Sequence, residues 1–267
     1  MNMKAISIGY HDVVEELETG DDPLRRCPSY YTLSRKAFQH HLESIRQQAP
    51  NNTVEAIRKA RTWQQQIPIF LTFDDGAIGA YTCIADELES RNWRGHFFVT
   101  SSWINKPGFM NPSQIRELHQ RGHVIGSHTH SHPDRMSNLS WASLIEEWSL
   151  SSKILSDILG EPVKVASVAD GYYSEKVGKS AAESGIEVLF NSEPIRGIST
   201  VDGCLILGRY SIKADTPAAT SGAIAAGAFW PSLRQTGLWE AKKAMKAIGG
   251  DSYLTIRKYF LSARAQH

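Results

Sequence analysis

Short apolar runs alternate with amphipathic stretches along most of the chain. The apolar runs have the length and composition of buried strands and predict seven of them, at Ala5–Tyr10, Ile67–Phe73, His96–Thr100, His123–Ser127, Val163–Val168, Ile186–Phe190 and Leu205–Ser211. Helical spacing of apolar positions predicts helices at Arg35–Gln48, Ala80–Arg91, Pro112–Arg121, Trp141–Leu159, Glu175–Ser184, Leu238–Ala247 and Tyr253–Ala263. Strands that alternate with helices favour a parallel sheet or barrel, and this number of strands fits one distorted (β/α) barrel.

The pattern gives no sign of a domain boundary, so residues 1–267 are predicted to form a single domain. The helix Trp141–Leu159 has the clearest ends, because Ser140 is a favourable N-cap and Gly160 a favourable residue after the last turn. No internal repeat or low-complexity linker interrupts the sequence. The loosest segments are predicted at Pro50–Thr53 and Ala218–Ala228.

Composition narrows the class of protein without identifying a function. The apolar share of 41% and the charged share of 21% are typical of a globular protein. The net charge of +1, with no long basic run, gives no sign of a nucleic-acid partner. No apolar stretch has the length of a transmembrane helix, so no stable membrane anchor is expected. The absence of a signal-peptide pattern and the few, widely spaced cysteines, Cys27, Cys83 and Cys204, favour a cytoplasmic protein.

Polar side chains follow several predicted strands at their carboxyl ends. His11 follows the first strand, Asp74 and Asp75 the second, His128 the fourth and Asp170 the fifth. Barrels of alternating strands and helices carry their chemistry on this face. Because the strands were predicted from apolar runs alone, this convergence independently favours an enzyme.

Two motifs at these strand ends contain the donor atoms of a metal site. Asp74-Asp75-Gly76 alone is weak, since Asp-Gly is common turn chemistry. The pair His128-x-x-x-His132 alone is also modest. Together they offer two imidazoles and one carboxylate to a metal and leave a second carboxylate as a base. Three protein ligands with one open position are typical of a catalytic zinc site.

These two motifs carry a resemblance to a known family. Leu71–Gly76 and Gly122–Pro133 resemble the first two motifs of the NodB-homology polysaccharide deacetylases, carbohydrate esterase family four. Gly95–Val99 resembles the strand between these motifs, and Tyr10–Val13 the opening strand of longer members. The resemblance covers residues 5–212 and leaves a C-terminal helical extension at residues 213–267. It implies a distorted (β/α)7 barrel of the NodB-homology type.

The resemblance also implies a reaction and roles for individual residues. Asp75, His128 and His132 would hold a divalent metal, usually Zn²⁺, and Asp74 would be the general base. The metal would lower the pKa of a bound water, and Asp74 would take its proton for attack on an acetamide carbonyl. The implied substrate, and the expected partner, is an N-acetylated sugar or polysaccharide.

The third family motif is incomplete in this chain. It usually reads Arg-x-Pro-x-Gly, but the aligned segment Ser167–Gly171 retains only the glycine. Asp170, Gly171 and Tyr172 are expected to contact the substrate, with a simple turn as the alternative role for Asp170. Four aromatic residues are expected to flank the cleft, where they would stack on sugar faces or only pack the loops: Trp103, Phe109, Tyr172 and Tyr173.

The fifth motif usually supplies a histidine as general acid, and here Arg209 occupies its place. An arginine cannot shuttle a proton. In the family, the arginine of the third motif orients the catalytic aspartate, and this chain lacks it. Arg209 is therefore expected to stabilise an oxyanion or to supply that missing cation near Asp74. The alternative is an ordinary surface arginine. His11 and His130 are the candidate acids, with His11 better positioned at a strand end.

These departures leave two other functions open. The chain would bind metal and carbohydrate with weak or no catalysis, or it would hydrolyse the amide of a non-acetyl or non-polysaccharide substrate. The metal ligands are present in all three interpretations, so they do not discriminate among acyl donors.

Overall fold

Helices and strands alternate in the computed structural model as the sequence predicts. The structure describes residues 3–17, 29–50, 54, 56–57, 67–228 and 237. The helices are α1 (Arg35–Gln48), α2 (Ala85–Glu89), α3 (Pro112–Gln120), α4 (Trp141–Leu159), α5 (Glu175–Glu183) and α6 (Ala218–Ala225). The strands are β1 (Ile6–Tyr10), β2 (Asp12–Val14), β3 (Thr32–Ser34), β4 (Ile69–Phe73), β5 (His96–Val99), β6 (Val124–Ser127), β7 (Val165–Ser167), β8 (Val188–Phe190), β9 (Ser199–Val201), β10 (Cys204–Leu207) and β11 (Tyr210–Ser211).

Nine strands form one curled sheet in the order β11-β1-β4-β5-β6-β7-β8-β10-β9. All neighbours in it are parallel except β9 and β10, which pair antiparallel at one edge. The chain leaves β10, which pairs with β8, and pairs again as β11 with β1 at the opposite edge. Gly208 and Arg209 therefore bridge the two sides of the sheet, and we call these two residues the seam. The predicted distorted (β/α)7 barrel in a single domain is confirmed.

Strand β4, which carries the aspartates, is buried on both faces. Its alternate residues Ile69, Leu71 and Phe73 belong to the large apolar cluster that includes side chains of α1, α2 and α3. Phe70, on the opposite face, packs with Phe98 and Phe190 in a separate cluster. Since helices cover one face and packed side chains fill the other, β4 reads as an apolar run interrupted only by Thr72.

Local capping sets the ends of the long helices. The side chain of Ser140 accepts a hydrogen bond from the backbone N–H of Ser143 at the start of α4, and Gly160 ends this helix with φ 78°. Both predicted caps are confirmed. Ser34 caps α1 in the same way, and α1 has the bounds that its apolar spacing predicts.

The structure changes three of the predicted segments, and it also contains three short strands that were not predicted, β2, β3 and β9. The predicted strand Leu205–Ser211 is two strands, because the seam carries the chain from one side of the sheet to the other. The predicted helix Ala80–Arg91 begins with π-helical Ala80–Ile84 before α2. The prediction that Ala218–Ala228 is loose is wrong, since most of it is α6, which packs on α1. The predicted helices Leu238–Ala247 and Tyr253–Ala263 lie outside the described residues.

Among the residues that the structure describes, no helix has both the length and the apolar character needed to cross a bilayer. Cys83 and Cys204 are buried free thiols, whereas Cys27 lies outside the described residues.

Candidate active site

The turn Asp74-Asp75-Gly76 follows β4 and has a conformation that few other residue pairs would adopt. Asp75 has φ 76° and Gly76 has φ 84°. Aspartate tolerates the left-handed region better than most residues, and glycine has no Cβ to oppose it. A Cβ on Gly76 would lie 3.0 Å from the side chain of Val99 on the neighbouring strand. The turn holds both carboxylates at the carboxyl end of β4, where each aspartate is only 6% exposed.

The second motif forms a loop after β6, and we call residues 128–132 the histidine loop. The backbone N–H of His128 donates to the carbonyl oxygen of Val99 at 2.9 Å. Thr129 and His132 both have positive φ, at 67° and 58°. The backbone N–H of His132 donates to Thr129 Oγ1 at 3.1 Å, so Thr129 shapes the loop as its sequence position suggests.

The three predicted metal ligands lie together. Nε2 of His128 is 3.5 Å from Oδ1 of Asp75, and Nε2 of His132 is 3.6 Å from the same oxygen. One donor atom from each of the three residues lies within 4.8 Å of the other two. Ligands about 2.1 Å from a tetrahedral ion are about 3.4 Å apart, which matches the two shorter distances. The donor set and its spacing therefore fit a divalent ion such as Zn²⁺.

The tautomer of His128 is fixed by Ser167, the last residue of β7. Nδ1 of His128 lies 3.2 Å from the carbonyl oxygen of Ser167 and 2.5 Å from its Oγ. A carbonyl oxygen only accepts, so Nδ1 carries the proton and Nε2 presents its lone pair towards Asp75. Burial lowers the pKa of His128 to about 4, which keeps the ring neutral at pH 7. This is the form in which histidine binds metals.

Asp74 does not join the metal ligands and instead pairs with Arg209. Nη1 of Arg209 donates to Oδ1 of Asp74 at 2.7 Å, and Ser167 Oγ donates to the same oxygen at 3.0 Å. Burial raises the pKa of Asp74, but the charge of Arg209, with smaller contributions from His128 and His11, holds it well below its usual value. The Asp74 carboxylate is therefore ionised throughout the neutral range.

Arg209 is not a surface residue, because only 3% of it is exposed. Its Nε donates to the carbonyl oxygen of Asn191 at 2.9 Å, and its backbone N–H donates to the carbonyl oxygen of Glu193 at the same distance. Its guanidinium carbon also lies 5.9 Å from the ring centroid of Phe98. These contacts hold the guanidinium in the seam, directly beside the carboxylate of Asp74.

Of the two predicted acids, His11 is the one whose charge acts on Asp74. Protonated His11 is among the groups that lower the pKa of Asp74. Its ring stacks on Tyr31 with centroids 4.0 Å apart, and its buried Nδ1 has no hydrogen-bond partner within the described part of the chain. His130 instead has its Nδ1 hydrogen-bonded to Ser101 Oγ at 2.9 Å.

The incomplete third motif forms a turn after β7. Asp170 is exposed and has φ 53°, within the 3-10 turn Ala169–Gly171. Gly171 and Tyr172 are buried, and the guanidinium of Arg135 lies 5.2 Å from the ring centroid of Tyr172. Asp170 is thus exposed, whereas Asp74 and Arg209 are buried.

Two contributions to the site were not predicted. Ser167 contacts both Asp74 and His128, although the sequence shows it only as the first residue of a degraded motif. The ring of Trp103 stacks on His132 with centroids 5.0 Å apart and also packs on Phe109. Trp103 was predicted to flank the cleft, but its stacking on a metal-ligand ring has no signal in the sequence.

Comparisons with known proteins agree with the motifs. Residues 63–189 match the family model of polysaccharide deacetylases. A chitin deacetylase of Colletotrichum lindemuthianum is 38% identical over 80 residues, which are 30% of this chain and 32% of that protein. The peptidoglycan-N-acetylmuramic acid deacetylase PdaA of Bacillus subtilis is 37% identical over 67 residues, which are 25% of this chain and 24% of that protein. These matches span a third or less of each relative's length.

A solved structure matches far more of the chain. The Streptococcus pyogenes deacetylase PplD, determined in complex with acetate, superposes with a TM-score of 0.66 at 18% identity. The superposition covers 82% of this chain and 96% of that one. At this identity the likeness shows a shared barrel fold, while function must be argued from the site.

Proposed function

We propose that this chain is a metal-dependent hydrolase of the polysaccharide deacetylase family, whose model residues 63–189 match, and that it removes N-acetyl groups from an N-acetylated sugar or polysaccharide. The observation that carries this proposal is the cluster of Asp75, His128 and His132 beside a separate, ionised Asp74. A structural zinc site uses four protein ligands, whereas three ligands with an adjacent base are typical of hydrolysis.

The ligands would be Nε2 of each histidine and one carboxylate oxygen of Asp75, with Zn²⁺ as the proposed ion. When bound, a divalent cation supplies Lewis-acid chemistry, since it lowers the pKa of water and polarises an acyl oxygen. Ser167 supports this role by holding the proton of His128 on Nδ1, away from the ion.

Asp74 is the proposed general base. Arg209 and Ser167 both bond to its Oδ1, so Oδ2 is the oxygen proposed to take a proton from the attacking water. Arg209 keeps Asp74 ionised and oriented and does not itself transfer a proton. We therefore assign Arg209 as a positioning residue for the base, which is the second of the two roles that its sequence position suggests.

His11 is the proposed general acid, which would protonate the leaving amine. A positive charge on His11 would lower the pKa of Asp74, and stacking on Tyr31 fixes the plane of the His11 ring. The turn after β7 would bind the substrate. Asp170 would offer its exposed carboxylate, and Gly171 and Tyr172, the next two residues, would contribute to the same contact surface. The aromatic surface of Trp103, beside His132, would contact a sugar ring.

A direct assay tests this function. Purified protein is loaded with Zn²⁺ and incubated with N-acetylglucosamine oligomers, and released acetate is measured. Acetate release that a chelator abolishes and added Zn²⁺ restores is the expected result. Saturable oligomer binding without acetate would favour a carbohydrate-binding protein, and hydrolysis of only another acylated amine would favour a different amidase.

Two variants separate the metal site from the base. His128→Ala removes a ligand and should lose both bound Zn²⁺ and acetate release. Asp74→Asn keeps all three ligands and should retain bound Zn²⁺ while acetate release falls by at least about 100-fold. Bound metal is measured by elemental analysis in parallel with the assay. Full turnover in Asp74→Asn would remove Asp74 as the base.

A further inference from the structure

Every backbone N–H of the histidine loop has a hydrogen-bond acceptor. Three of these N–H groups donate to neutral oxygens. That of His128 donates to the carbonyl oxygen of Val99, that of Thr129 to Ser127 Oγ, and that of His132 to Thr129 Oγ1. The two remaining amides, those of His130 and Ser131, bond to one carboxylate from outside the loop. The loop therefore depends on a single charged acceptor.

That acceptor is Glu147, on α4. Its Oε2 accepts from the backbone N–H of His130 and from that of Ser131, each at 2.8 Å. Its Oε1 accepts from the hydroxyl of Ser131 at 2.5 Å. Both carboxylate oxygens are thus used, and hydrogen bonds to a charged acceptor are stronger than those between neutral groups.

The backbone of this loop is one that residues of its type rarely adopt unaided. Thr129 and His132 flank the two amides held by Glu147, and both lie in the left-handed region. A β-branched residue is disfavoured there, because its Cβ crowds the following carbonyl oxygen. Contacts from outside must therefore hold the loop in the conformation that turns His132 towards Asp75.

We propose that Glu147 is a positioning residue for the metal site, which holds the histidine loop so that His132 reaches the ion together with His128. This inference rests on the proposed metal dependence. It assigns Glu147 no contact with metal or substrate. It predicts that loss of Glu147 weakens metal binding, because the loop must then be ordered when the ion binds.

The affinity for Zn²⁺, measured by competition with a chromophoric chelator, tests the proposal. Glu147→Ala should weaken Zn²⁺ binding about 10–100-fold, the usual effect of removing a group that orients a metal ligand. Glu147→Gln keeps one acceptor oxygen and should lie between Ala and the wild type. Glu146→Ala is the matched control, since Glu146 is the preceding residue of α4 and is exposed. It should bind Zn²⁺ within about twofold of the wild type.

Two further readouts and a second variant separate positioning from general structural support. At saturating Zn²⁺, Glu147→Ala should regain most of the wild-type kcat, whereas loss of a catalytic group would not be restored. Relative to the wild type, Glu147→Ala should lower the melting temperature less in the metal-free protein than in the zinc-loaded protein. If Glu147→Ala fails to fold, Ser131→Ala removes one of the three bonds without touching Glu147, and it should still weaken Zn²⁺ binding measurably.

Each outcome decides between the two proposals. If the wild type does not bind Zn²⁺, the proposed metal dependence is wrong. If the wild type binds Zn²⁺, and both Glu147→Gln and Ser131→Ala bind it with the affinity of the wild type, the role proposed for Glu147 is wrong. The proposed metal site would then remain supported. The proposed role would also be wrong if Glu147→Ala lowered the melting temperature equally with and without Zn²⁺ and left the affinity for Zn²⁺ unchanged.

Discussion

Asp74 has two buried polar neighbours that act on it differently. Arg209 supplies charge, and the ion pair offsets the cost of burying the carboxylate. Ser167 supplies a hydrogen bond and also contacts His128, so it connects the proposed base to a proposed metal ligand. A serine hydroxyl can do both, because it donates one hydrogen bond and accepts others.

Removing the charge of Arg209 should impair both stability and turnover. Arg209→Ala leaves Asp74 buried without its cation, which should lower the free energy of unfolding by about 3–5 kcal/mol. The acetate-release rate should fall as well, and added guanidinium at low concentration should restore part of it. Urea unfolding and the acetate assay measure the two effects.

Arg46→Ala is the control for this experiment. Arg46 pairs with Glu43 on the exposed surface of α1, where water and salt screen the charges and the pair adds little to stability. A conservative Arg209→Lys variant keeps the charge but loses the fixed fork that bonds both Asn191 and Asp74, so it should fall between Ala and the wild type. If Arg209→Ala has the same free energy of unfolding and the same acetate-release rate as Arg46→Ala, the role assigned to Arg209 is incorrect.

The strands next to the site contain histidines that the fold keeps neutral. Nε2 of His96, on β5, accepts from the backbone N–H of Ile57 at 3.0 Å, while its Nδ1 lies 3.2 Å from the carbonyl oxygen of Leu71. His123, just before β6, accepts from the N–H of Gly95 at 3.1 Å. Protonation would place a second donor against each of these N–H groups. Burial accordingly lowers the pKa of both rings to about 4.

These histidines should make the protein less stable in mild acid. An unfolded histidine titrates near pH 6.5, above the folded value of about 4. Between these two values the unfolded state binds more protons, so the free energy of unfolding should decrease as pH falls from about 6.5 to about 4. The contribution of His96 is about 3 kcal/mol across this window. Urea unfolding at several pH values, with a chelator present, measures it.

The variant His96→Gln isolates this contribution. It removes one titrating ring from β5, so the dependence of unfolding free energy on pH should become shallower, even if stability at pH 7 also falls. His40→Gln is the matched control, because it makes the same substitution at an exposed histidine of α1. An identical pH dependence in His96→Gln and the wild type would contradict the neutral assignment.

Closure of the barrel depends on two residues in the seam. Gly208 lets the chain pass close to the loop after β8, since a Cβ there would overlap the carbonyl oxygen of Glu193 and crowd the side chain of Ile195. The next residue, Arg209, directly precedes β11, which is separated from β4 only by β1, and it contacts Asp74. The two residues that close the barrel therefore also determine the environment of the proposed base.

A substitution in the seam should test that coupling. Gly208→Ala should destabilise the fold by several kcal/mol and reduce acetate release even in the folded fraction, because the overlap with backbone displaces Arg209. Gly197→Ala is the matched control, as a Cβ at Gly197 meets no atom within 4 Å. Thermal unfolding and the acetate assay compare the two. Gly208→Ala with wild-type stability and activity would show that the seam tolerates displacement.

Much of the fold is encoded locally and was predictable. Helix α4 has its predicted bounds because Ser140 and Gly160 form caps with their own neighbours. The cluster of Asp75 and the two histidines was also predictable, because these residues occur in short motifs of distinctive chemistry. The three-residue strands β2, β3 and β9 were missed because none of them lies in a longer apolar run, whereas the equally short β7 and β8 do.

The sequence by itself therefore determined the element order, the barrel class and the donor atoms of the proposed metal site. Only the tertiary structure decided what stands beside Asp74 and what holds the histidine loop. Arg209 is 135 residues from Asp74, and they meet because the curled sheet brings β11 beside β1. Glu147 reaches the loop from the surface of α4. No local pattern encodes such contacts, because they depend on how distant elements pack.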